Sequence, residues 1–467
     1  MSDPGRRSTE PTGGRRSAVR RALSPTAVIA VLLPLLTVGA LSLVRPDEVT
    51  SPDRAAEQVP PSRVDLVCPA GEGDDPLALA TAGRADGEVS TSTSEDRGST
   101  AVPLRPDEVV SLDDQAPTFV RGDGAIAAEL IGSRVREAGL TTTECVLPRP
   151  EYWFTGLGAG AEHSSTLELA NPDQGPAVAD VTVWTRSGVV DVPTLRGVTV
   201  LGGEAQQLDL SEVVPRRSEL AVHVAVSRGR LGASVVDEVP ALGQDPRLAS
   251  WLPASPEPTT EQLLLGLVGG EGTDTLVLGN PGDDEARVEL RVVTEDASFV
   301  PEGQEEVRVA AGSVETITLT ETVRQQVSDG ALGLQVVGSA PVTATLRSQV
   351  DGDLVHAQAV ATTEAPTTAL VPPGEARVVL ARATGAGLAV VTAYDADGRE
   401  LLQERVELTD GSGGDLDLPA RTRLVRVTPR RTGVAAAVVV RDDGSTVVPL
   451  RELVRYSLIP DVRPGLR

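Results

Sequence analysis

The chain is poor in the residues that most often carry chemistry. It has no lysine, two cysteines, three histidines and three each of tryptophan, tyrosine and phenylalanine. Two cysteines cannot form a four-cysteine zinc site, and neither a His-Glu-x-x-His nor a Gly-x-Ser-x-Gly motif is present. His163, His223 and His356 stand far apart in the sequence. We therefore predict no catalytic residue, no metal ligand, no cofactor and a protein that is not an enzyme.

Aromatic residues are also scarce for a glycan-binding protein, because sugar rings stack on exposed aromatic faces. Trp153, in the cluster Tyr152-Trp153-Phe154, is the main candidate. We expect Trp153 to lie instead in the core, at the junction with the preceding domain. Asp395-Ala396-Asp397-Gly398 resembles part of a calcium loop but has no closing glutamate, and it is typical of a hairpin turn.

The formal net charge is −25 at pH 7. A surface this acidic repels phosphate backbones, so we predict that the protein binds no nucleic acid. The first 24 residues differ, because they carry six arginines against Asp3 and Glu10. Since they also lack hydrophobic periodicity, residues 1–24 are predicted to be a disordered basic tail in the cytoplasm.

Residues 25–44 carry no charge and consist mainly of Ala, Val, Leu and Ile. About 20 such residues are enough for a helix to cross a bilayer, so we predict a transmembrane helix or signal anchor. Four arginines between positions 15 and 21 place the N-terminus in the cytoplasm and the body outside the cell membrane. The alternative is cleavage near Val38-Gly39-Ala40 and secretion of the body.

A linker and a segment that contains both cysteines follow the apolar run. Prolines among charged residues predict a linker at 45–62. The next segment, 63–150, has short apolar runs between Gly and Asp clusters, which predict strands. Outside the membrane the compartment is oxidising, and Cys68 and Cys145 allow only one pairing. We therefore predict a Cys68–Cys145 disulfide within a β-rich domain.

One stretch of sequence occurs twice, as Ser165-Thr-Leu-Glu-Leu-Ala-Asn-Pro172 and Asp274-Thr-Leu-Val-Leu-Gly-Asn-Pro281. Alternating apolar residues in each copy predict a half-buried strand. Asn171 and Asn280 are the only asparagines in the chain, and each precedes a proline. Proline cannot donate to a sheet, and asparagine can bond the backbone that follows it. Asn171-Pro172 and Asn280-Pro281 are therefore predicted to be structural turns.

The two copies lie 109 residues apart, which is about the length of one immunoglobulin-like β-sandwich. We predict one sandwich at 151–258 and a second at 259–365. The segment 366–467 has similar hairpin spacing without the Asn-Pro pair, which predicts a divergent third sandwich. The expected fold class is all-β, with one N-terminal transmembrane helix, a disulfide-bracketed β-rich domain and tandem immunoglobulin-like sandwiches.

The order of these features resembles an actinobacterial family of membrane-anchored extracytoplasmic proteins whose function is unknown. The resemblance rests on the apolar span, Cys68-Pro69, the stretch from Gly139-Leu140 to Cys145, Trp153-Phe154-Thr155-Gly156 and Leu169-Ala170-Asn171-Pro172. It implies an extracytoplasmic location and a non-enzymatic character, and it implies no catalytic residue or ligand.

The sequence thus predicts a non-enzymatic structural or interaction protein of the cell envelope. We expect a membrane-tethered stalk of sandwiches that contacts envelope proteins or cell-wall glycan. A secreted glycan- or cation-binding β-sandwich module is the alternative.

Overall fold

The computed structural model describes residues 25–43, 57–73, 75–136, 139–240, 247–453 and 457–459. The predicted basic tail, 1–24, lies outside the described residues, as does most of the predicted linker. The chain forms two compact units, Met1–Glu57 with Ile459–Arg467, and Gln58–Leu458.

Among its described residues, the first unit contains the helix α1, over Pro25–Leu43. The Thr37 hydroxyl donates to the carbonyl oxygens of Leu33 and Pro34, both at 2.9 Å. Within the described residues, no helix combines the length and the apolar character that crossing a bilayer requires. The transmembrane helix expected at 25–44 is therefore not confirmed, and it stays a prediction.

Strands dominate the second unit, which confirms the all-β fold class, and they fall into four successive groups. We call these groups repeat 1 (63–146), repeat 2 (151–252), repeat 3 (259–358) and repeat 4 (367–452). Repeat 1 contains β2 (Arg63–Cys68), β3 (Leu77–Thr81), β4 (Gly87–Thr93), β5 (Thr100–Leu104), β6 (Val109–Leu112), β7 (Thr118–Asp123), a 3-10 helix (Gly124–Ala128), β8 (Leu130–Arg136) and β9 (Thr141–Glu144). The strands β1 (Glu57–Val59) and β36 (Ser457–Ile459) flank the repeats in sequence.

The other three repeats have eight or nine strands each. Repeat 2 contains β10 (Glu151–Ala159), β11 (Ser164–Ala170), β12 (Ala177–Thr185), β13 (Gly188–Val190), a 3-10 helix (Pro193–Leu195), β14 (Val198–Val200), β15 (Ala205–Asp209), α2 (Leu210–Val213), β16 (Arg217–Arg228), β17 (Gly232–Val239) and β18 (Leu248–Leu252). Repeat 3 contains β19 (Thr259–Leu265), β20 (Gly272–Asn280), β21 (Ala286–Val293), β22 (Ser298–Phe299), β23 (Val307–Val309), β24 (Ser313–Thr318), α3 (Glu321–Ser328), β25 (Gly333–Val350) and β26 (Asp353–Gln358). Repeat 4 contains β27 (Thr367–Leu370), β28 (Glu375–Ala381), β29 (Gly387–Tyr394), β30 (Glu400–Leu408), β31 (Gly414–Asp417), β32 (Leu424–Arg430), β33 (Ala435–Arg441), β34 (Ser445–Pro449) and β35 (Arg451–Glu452).

All four repeats pair their strands in the same order. Repeat 1 has the sheets β5-β4-β7-β2 and β6-β3-β8-β9. Repeat 2 has the strand orders β13-β12-β16-β10 and β15-β11-β17-β18, which one pair between β10 and β11 joins into a single nine-stranded sheet. Repeat 3 has β22-β21-β25-β19 and β24-β20-β25-β26, and repeat 4 has β30-β29-β32-β27 and β31-β28-β33-β34. In each repeat the two sheets enclose an apolar core. Repeat 1, which the sequence does not relate to the others, therefore has the topology of the other three.

Period-two alternation gives each strand its buried side. Leu167 and Leu169 of β11, and Leu276 and Leu278 of β20, are all fully buried. In repeat 3 the long strand β25 passes from one sheet to the other, because residues 333–338 pair with β21 and 343–350 pair with β20. A Cβ atom at Gly338 would lie 2.7 Å from a backbone oxygen, so this crossing requires glycine.

The four repeats contact one another in a closed ring. Buried apolar contacts join Val67 and Phe119 of repeat 1 to Ala170 of repeat 2, and Trp184 and Ala221 of repeat 2 to Val277 and Val314 of repeat 3. They also join Leu263 and Val350 of repeat 3 to Val379 and Val439 of repeat 4, and Leu370 and Leu424 of repeat 4 to Ala80 and Ala82 of repeat 1. The last full strands of the repeats, β9, β18, β26 and β34, also contact one another in that order. The repeats are therefore not arranged as the extended stalk expected from the sequence.

The two cysteines join the two sheets of repeat 1. Cys68 ends β2 in one sheet, Cys145 follows β9 in the other, and the two sulfur atoms form a disulfide. Cys68 is fully buried and Cys145 is 8% exposed. The disulfide predicted from the sequence is thus present, and it closes repeat 1 where that repeat meets repeat 2.

Replacing both cysteines, Cys68→Ala with Cys145→Ala, is expected to lower the free energy of unfolding by about 4 kcal/mol, because the disulfide restricts a long loop in the unfolded chain. Urea unfolding of the oxidised protein and of the double variant measures the difference. Dithiothreitol should destabilise the parent by a similar amount and leave the double variant unchanged. A double variant as stable as the oxidised parent would contradict the prediction.

Candidate functional site

Asn171 and Asn280 hold equivalent turns in repeats 2 and 3. In both copies the side-chain nitrogen donates to the carbonyl oxygens four and 29 residues further along the chain. The side-chain oxygen accepts from the N–H two residues further along. Both side chains are buried, and Pro172 and Pro281 follow them directly. Their polar atoms bind the backbone, so these side chains hold the two turns.

Two of the isolated histidines meet at one carboxylate between repeats 2 and 3. His163 Nε2 lies 2.7 Å from Asp237 Oδ1, and His356 Nε2 lies 3.0 Å from Asp237 Oδ2. The Ser165 hydroxyl also donates to Asp237 Oδ1, at 2.6 Å. Asp237 lies on β17 of repeat 2 and is fully buried, whereas His356 lies on β26 of repeat 3. We call these four residues the Asp237 cluster.

An ion pair crosses the same junction beside the Asp237 cluster. Arg347 of β25 donates to both carboxylate oxygens of Glu219 on β16, at 2.7 and 3.1 Å. Arg347 Nη1 also lies 3.0 Å from His163 Nδ1. The Asp237 cluster and this ion pair thus bring two carboxylates, one guanidinium and two imidazoles together.

The electrostatics of the cluster keep Asp237 ionised. Burial alone would raise the pKa of the Asp237 carboxyl, but the charges and hydrogen bonds of His163 and His356 outweigh burial and hold this pKa far below its usual range. The serine is not placed as a nucleophile, because Ser165 donates to the carboxylate and not to a histidine base. The geometry is that of a joint between repeats, held by charge and hydrogen bonds.

His223, the third histidine, lies in an aromatic stack at the same junction. Its ring stacks on Trp153 with the ring centroids 4.1 Å apart, and Trp153 stacks on Trp184 at 5.4 Å. His223 Nε2 lies 2.8 Å from a carboxylate oxygen of Glu151. Trp153 packs against Val277 and the other apolar residues of the junction with repeat 3. The expected position of Trp153, at the junction with the preceding domain, is therefore wrong.

A polar tie connects all four repeats near the centre of the ring. Arg451 Nε donates to Glu144 at 2.7 Å, which joins repeat 4 to repeat 1. When the Gln358 amide is oriented to satisfy its neighbours, its oxygen accepts from Arg451 Nη2 at 2.6 Å. The Gln358 nitrogen then donates to the carbonyl oxygens of Pro253 and Ala254, which follow repeat 2, at 3.0 and 2.6 Å. Burial raises the pKa of the Glu144 carboxyl, and the charge of Arg451 opposes this rise.

Sequence reasoning missed Asp237, Arg347, Glu144 and Arg451, because each meets its partners only after the repeats have packed together. Within the described residues, no group of three or more His, Cys, Asp or Glu side chains is placed to hold a metal ion.

Much of the repeat region matches a recognised family. A family model, DUF5719, described as a family of unknown function, matches residues 121–419. This chain belongs to DUF5719. The DUF5719 match begins in β7 of repeat 1 and ends just after β31 of repeat 4. It therefore includes the whole Asp237 cluster, while Arg451 lies beyond it. The resemblance to a family of unknown function is confirmed, and its actinobacterial and membrane-anchored features stay predictions.

Other comparisons add no functional information. No curated protein matches this DUF5719 chain. Among solved structures, an anti-sigma factor domain-containing protein from Clostridium clariflavum matches at 9% identity, over 79% of this chain and 99% of its own, with a TM-score of 0.12. A TM-score this low supports no argument about fold or function.

Replacing Asp237 with asparagine is expected to cost about 3–5 kcal/mol of unfolding free energy at pH 7, because it removes the buried charge that pairs with two histidines. Since the pKa of Asp237 is lowered in the folded protein, its contribution is complete above the ordinary carboxyl pKa of about 4. The contribution is lost as the pH falls below that value towards the folded pKa. Urea unfolding at pH 7, 5 and 3 measures the difference in unfolding free energy between parent and variant. This difference should be smaller at pH 3 than at pH 7.

Asp283→Asn is the matched control, because Asp283 is exposed on the turn after Pro281. It should change stability by no more than about 0.5 kcal/mol. The prediction is contradicted if Asp237→Asn lowers the unfolding free energy at pH 7 by as little as Asp283→Asn does. It is also contradicted if the difference between parent and Asp237→Asn is larger at pH 3 than at pH 7.

Arg451→Met is expected to lower the free energy of unfolding by roughly 2 kcal/mol, because it leaves Glu144 and Gln358 without their charged partner. The double variant Arg451→Met with Glu144→Gln should recover part of this loss, since no unpaired carboxylate remains. A double-mutant cycle measured by urea unfolding gives the coupling free energy between Arg451 and Glu144. Arg405→Met, at an exposed position on β30, is the control. A coupling of zero between Arg451 and Glu144 would show that the tie does not stabilise the ring.

Proposed function

We propose that this DUF5719 protein is a non-enzymatic interaction protein of the cell envelope. It is anchored by the apolar segment at 25–44, with its tail, 1–24, in the cytoplasm and the unit Gln58–Leu458 outside the membrane. The observation that carries the proposal is that the buried polar groups described above hold the repeats together. The Asp237 cluster and the Arg451 tie bind residues of one repeat to residues of another, and they are not arranged around a substrate.

Two further observations support the location. The uncharged run 25–44 follows a basic tail, as expected for an anchor whose N-terminus is cytoplasmic. The Cys68–Cys145 disulfide is stable in an oxidising compartment, such as the space outside the cell membrane. A closed ring of immunoglobulin-like sandwiches offers a rigid surface for contacts with other envelope components.

Glycan or cation binding has weaker support. Trp184 and Trp251 are only 8% and 2% exposed, so their faces are not open to a sugar ring. In the calcium-like loop, Asp395 Oδ1 accepts from the backbone N–H groups of Asp397 and Arg399, at 3.0 and 2.9 Å. These hydrogen bonds form the hairpin turn between β29 and β30.

Cross-linking in intact cells tests the proposal. The full chain is expected to fractionate with membranes and to cross-link to a reproducible set of envelope proteins. A variant that lacks residues 25–44 should lose the membrane association and most of the cross-links, because its ring is no longer held at the membrane surface. The comparison is made by fractionation, affinity capture and mass spectrometry.

A chain consisting of 1–62 fused to an unrelated folded domain is the control, since it retains the anchor without the ring. If the control captures the same proteins, the anchor and not the ring recruits them. That result, or a full chain that remains in the cytoplasm, would overturn the proposal.

A further inference from the structure

A cavity of about 130 Å³ lies beside the polar tie at the centre of the ring. All four repeats or the segments joining them contribute to its wall. Gln358 belongs to repeat 3, and the apolar part of the wall includes Leu66, Leu130, Phe154, Leu252, Leu370 and Leu453. The cavity exists only because the ring is closed, and none of the groups in the Asp237 cluster lines it.

Several polar groups in the wall already have partners within the protein. The Tyr152 hydroxyl is hydrogen-bonded to the carbonyl oxygens of Leu147 and Leu231, at 2.8 and 2.9 Å. The Thr368 hydroxyl donates to the Val425 carbonyl oxygen at 2.9 Å. Because water in a cavity needs two or more polar partners, the leucine-lined part of the wall favours an apolar occupant.

The charges of the wall do not favour an ionic occupant. The lining contains two arginines, Arg149 and Arg451, and two glutamates, Glu144 and Glu452. These charges balance in number, and Arg451 is already paired with Glu144. The acidic net charge of the protein repels anions, and a cation would have to leave water for a mainly apolar wall.

The volume sets the size of the occupant. An apolar cavity of about 150 Å³ accommodates benzene, which has six carbons. We propose that the cavity is a binding site for a small uncharged aliphatic molecule, with a chain of about six carbons among the leucines. A terminal hydroxyl can hydrogen-bond to the tie formed by Arg451, Glu144 and Gln358. This inference is independent of the proposed envelope function.

A series of n-alkanols tests the proposal on the full chain by isothermal titration calorimetry. From n-butanol to n-hexanol, each added CH₂ should lower the Kd about fourfold, which corresponds to about 0.8 kcal/mol per buried CH₂. Beyond n-hexanol the Kd should fall no further, because n-hexanol already fills the cavity. Undetectable binding of n-hexanol, or a gain that continues through n-decanol as for adsorption to a surface, would overturn the proposal.

The charge of the head group is tested with n-hexanoate and n-hexylammonium at pH 7. Both should bind at least tenfold more weakly than n-hexanol. Equal or tighter binding of either ion would overturn the assignment of an uncharged ligand.

Two variants locate the site. Ala254→Leu should fill part of the cavity and weaken n-hexanol binding at least tenfold, whereas Ala297→Leu, at an exposed position, should have no effect. Leu370→Ala should enlarge the cavity, so that the Kd continues to fall for alkanols longer than n-hexanol. Near-UV circular dichroism verifies that each variant is folded, and Leu370→Ala decides the question if Ala254→Leu does not fold. Unchanged binding in a folded Ala254→Leu, or an unchanged limit in Leu370→Ala, would place the ligand elsewhere and overturn the proposal.

Discussion

Closure of the ring is the constraint on which the rest of this structure depends. A sandwich in the middle of an open chain of repeats buries two of its sides, but the first and last repeats each leave one apolar side exposed. Here Leu370 and Leu424 of repeat 4 pack on Ala80 and Ala82 of repeat 1. Contact between the first and last repeats removes both exposed sides, so the ring needs no special capping repeat.

Much of the fold could be predicted from the sequence, because strand periodicity and turn chemistry are local. The Asn-Pro pairs and the alternation before them relate repeats 2 and 3, since the same hydrogen bonds recur at the same spacing. Repeat 1 has no such mark, so its common topology could not be inferred. The ring closure could not be predicted either, because Arg451 and Glu144 are 307 residues apart. The Asp237 cluster was hidden for the same reason, since each histidine lies alone in the sequence.

Buried charge at a junction is weak evidence for stability, because well-packed apolar residues often replace it without loss. Buried charge can instead serve specificity. Four repeats with one topology could pack in several wrong pairings, and their Val, Leu and Ala surfaces discriminate little among them. An Asp237 side chain that met an apolar face would be left buried and unpaired, at a cost of several kilocalories per mole. We therefore infer that the Asp237 cluster selects repeat 3 as the neighbour of repeat 2.

The scarce aromatic residues support the same view of the junctions. Trp153 and Trp184 stack between repeats 2 and 3, and Trp251 of repeat 2 lies under the guanidinium of Arg136 from repeat 1, 4.8 Å from its ring centroid. The cores inside the repeats are filled largely by Val, Leu and Ala, which pack well between two regular sheets. At the junctions, one large flat side chain fills space that several small ones would leave open. All three tryptophans thus contact a neighbouring repeat, and their placement follows from assembly of the ring and requires no sugar ligand.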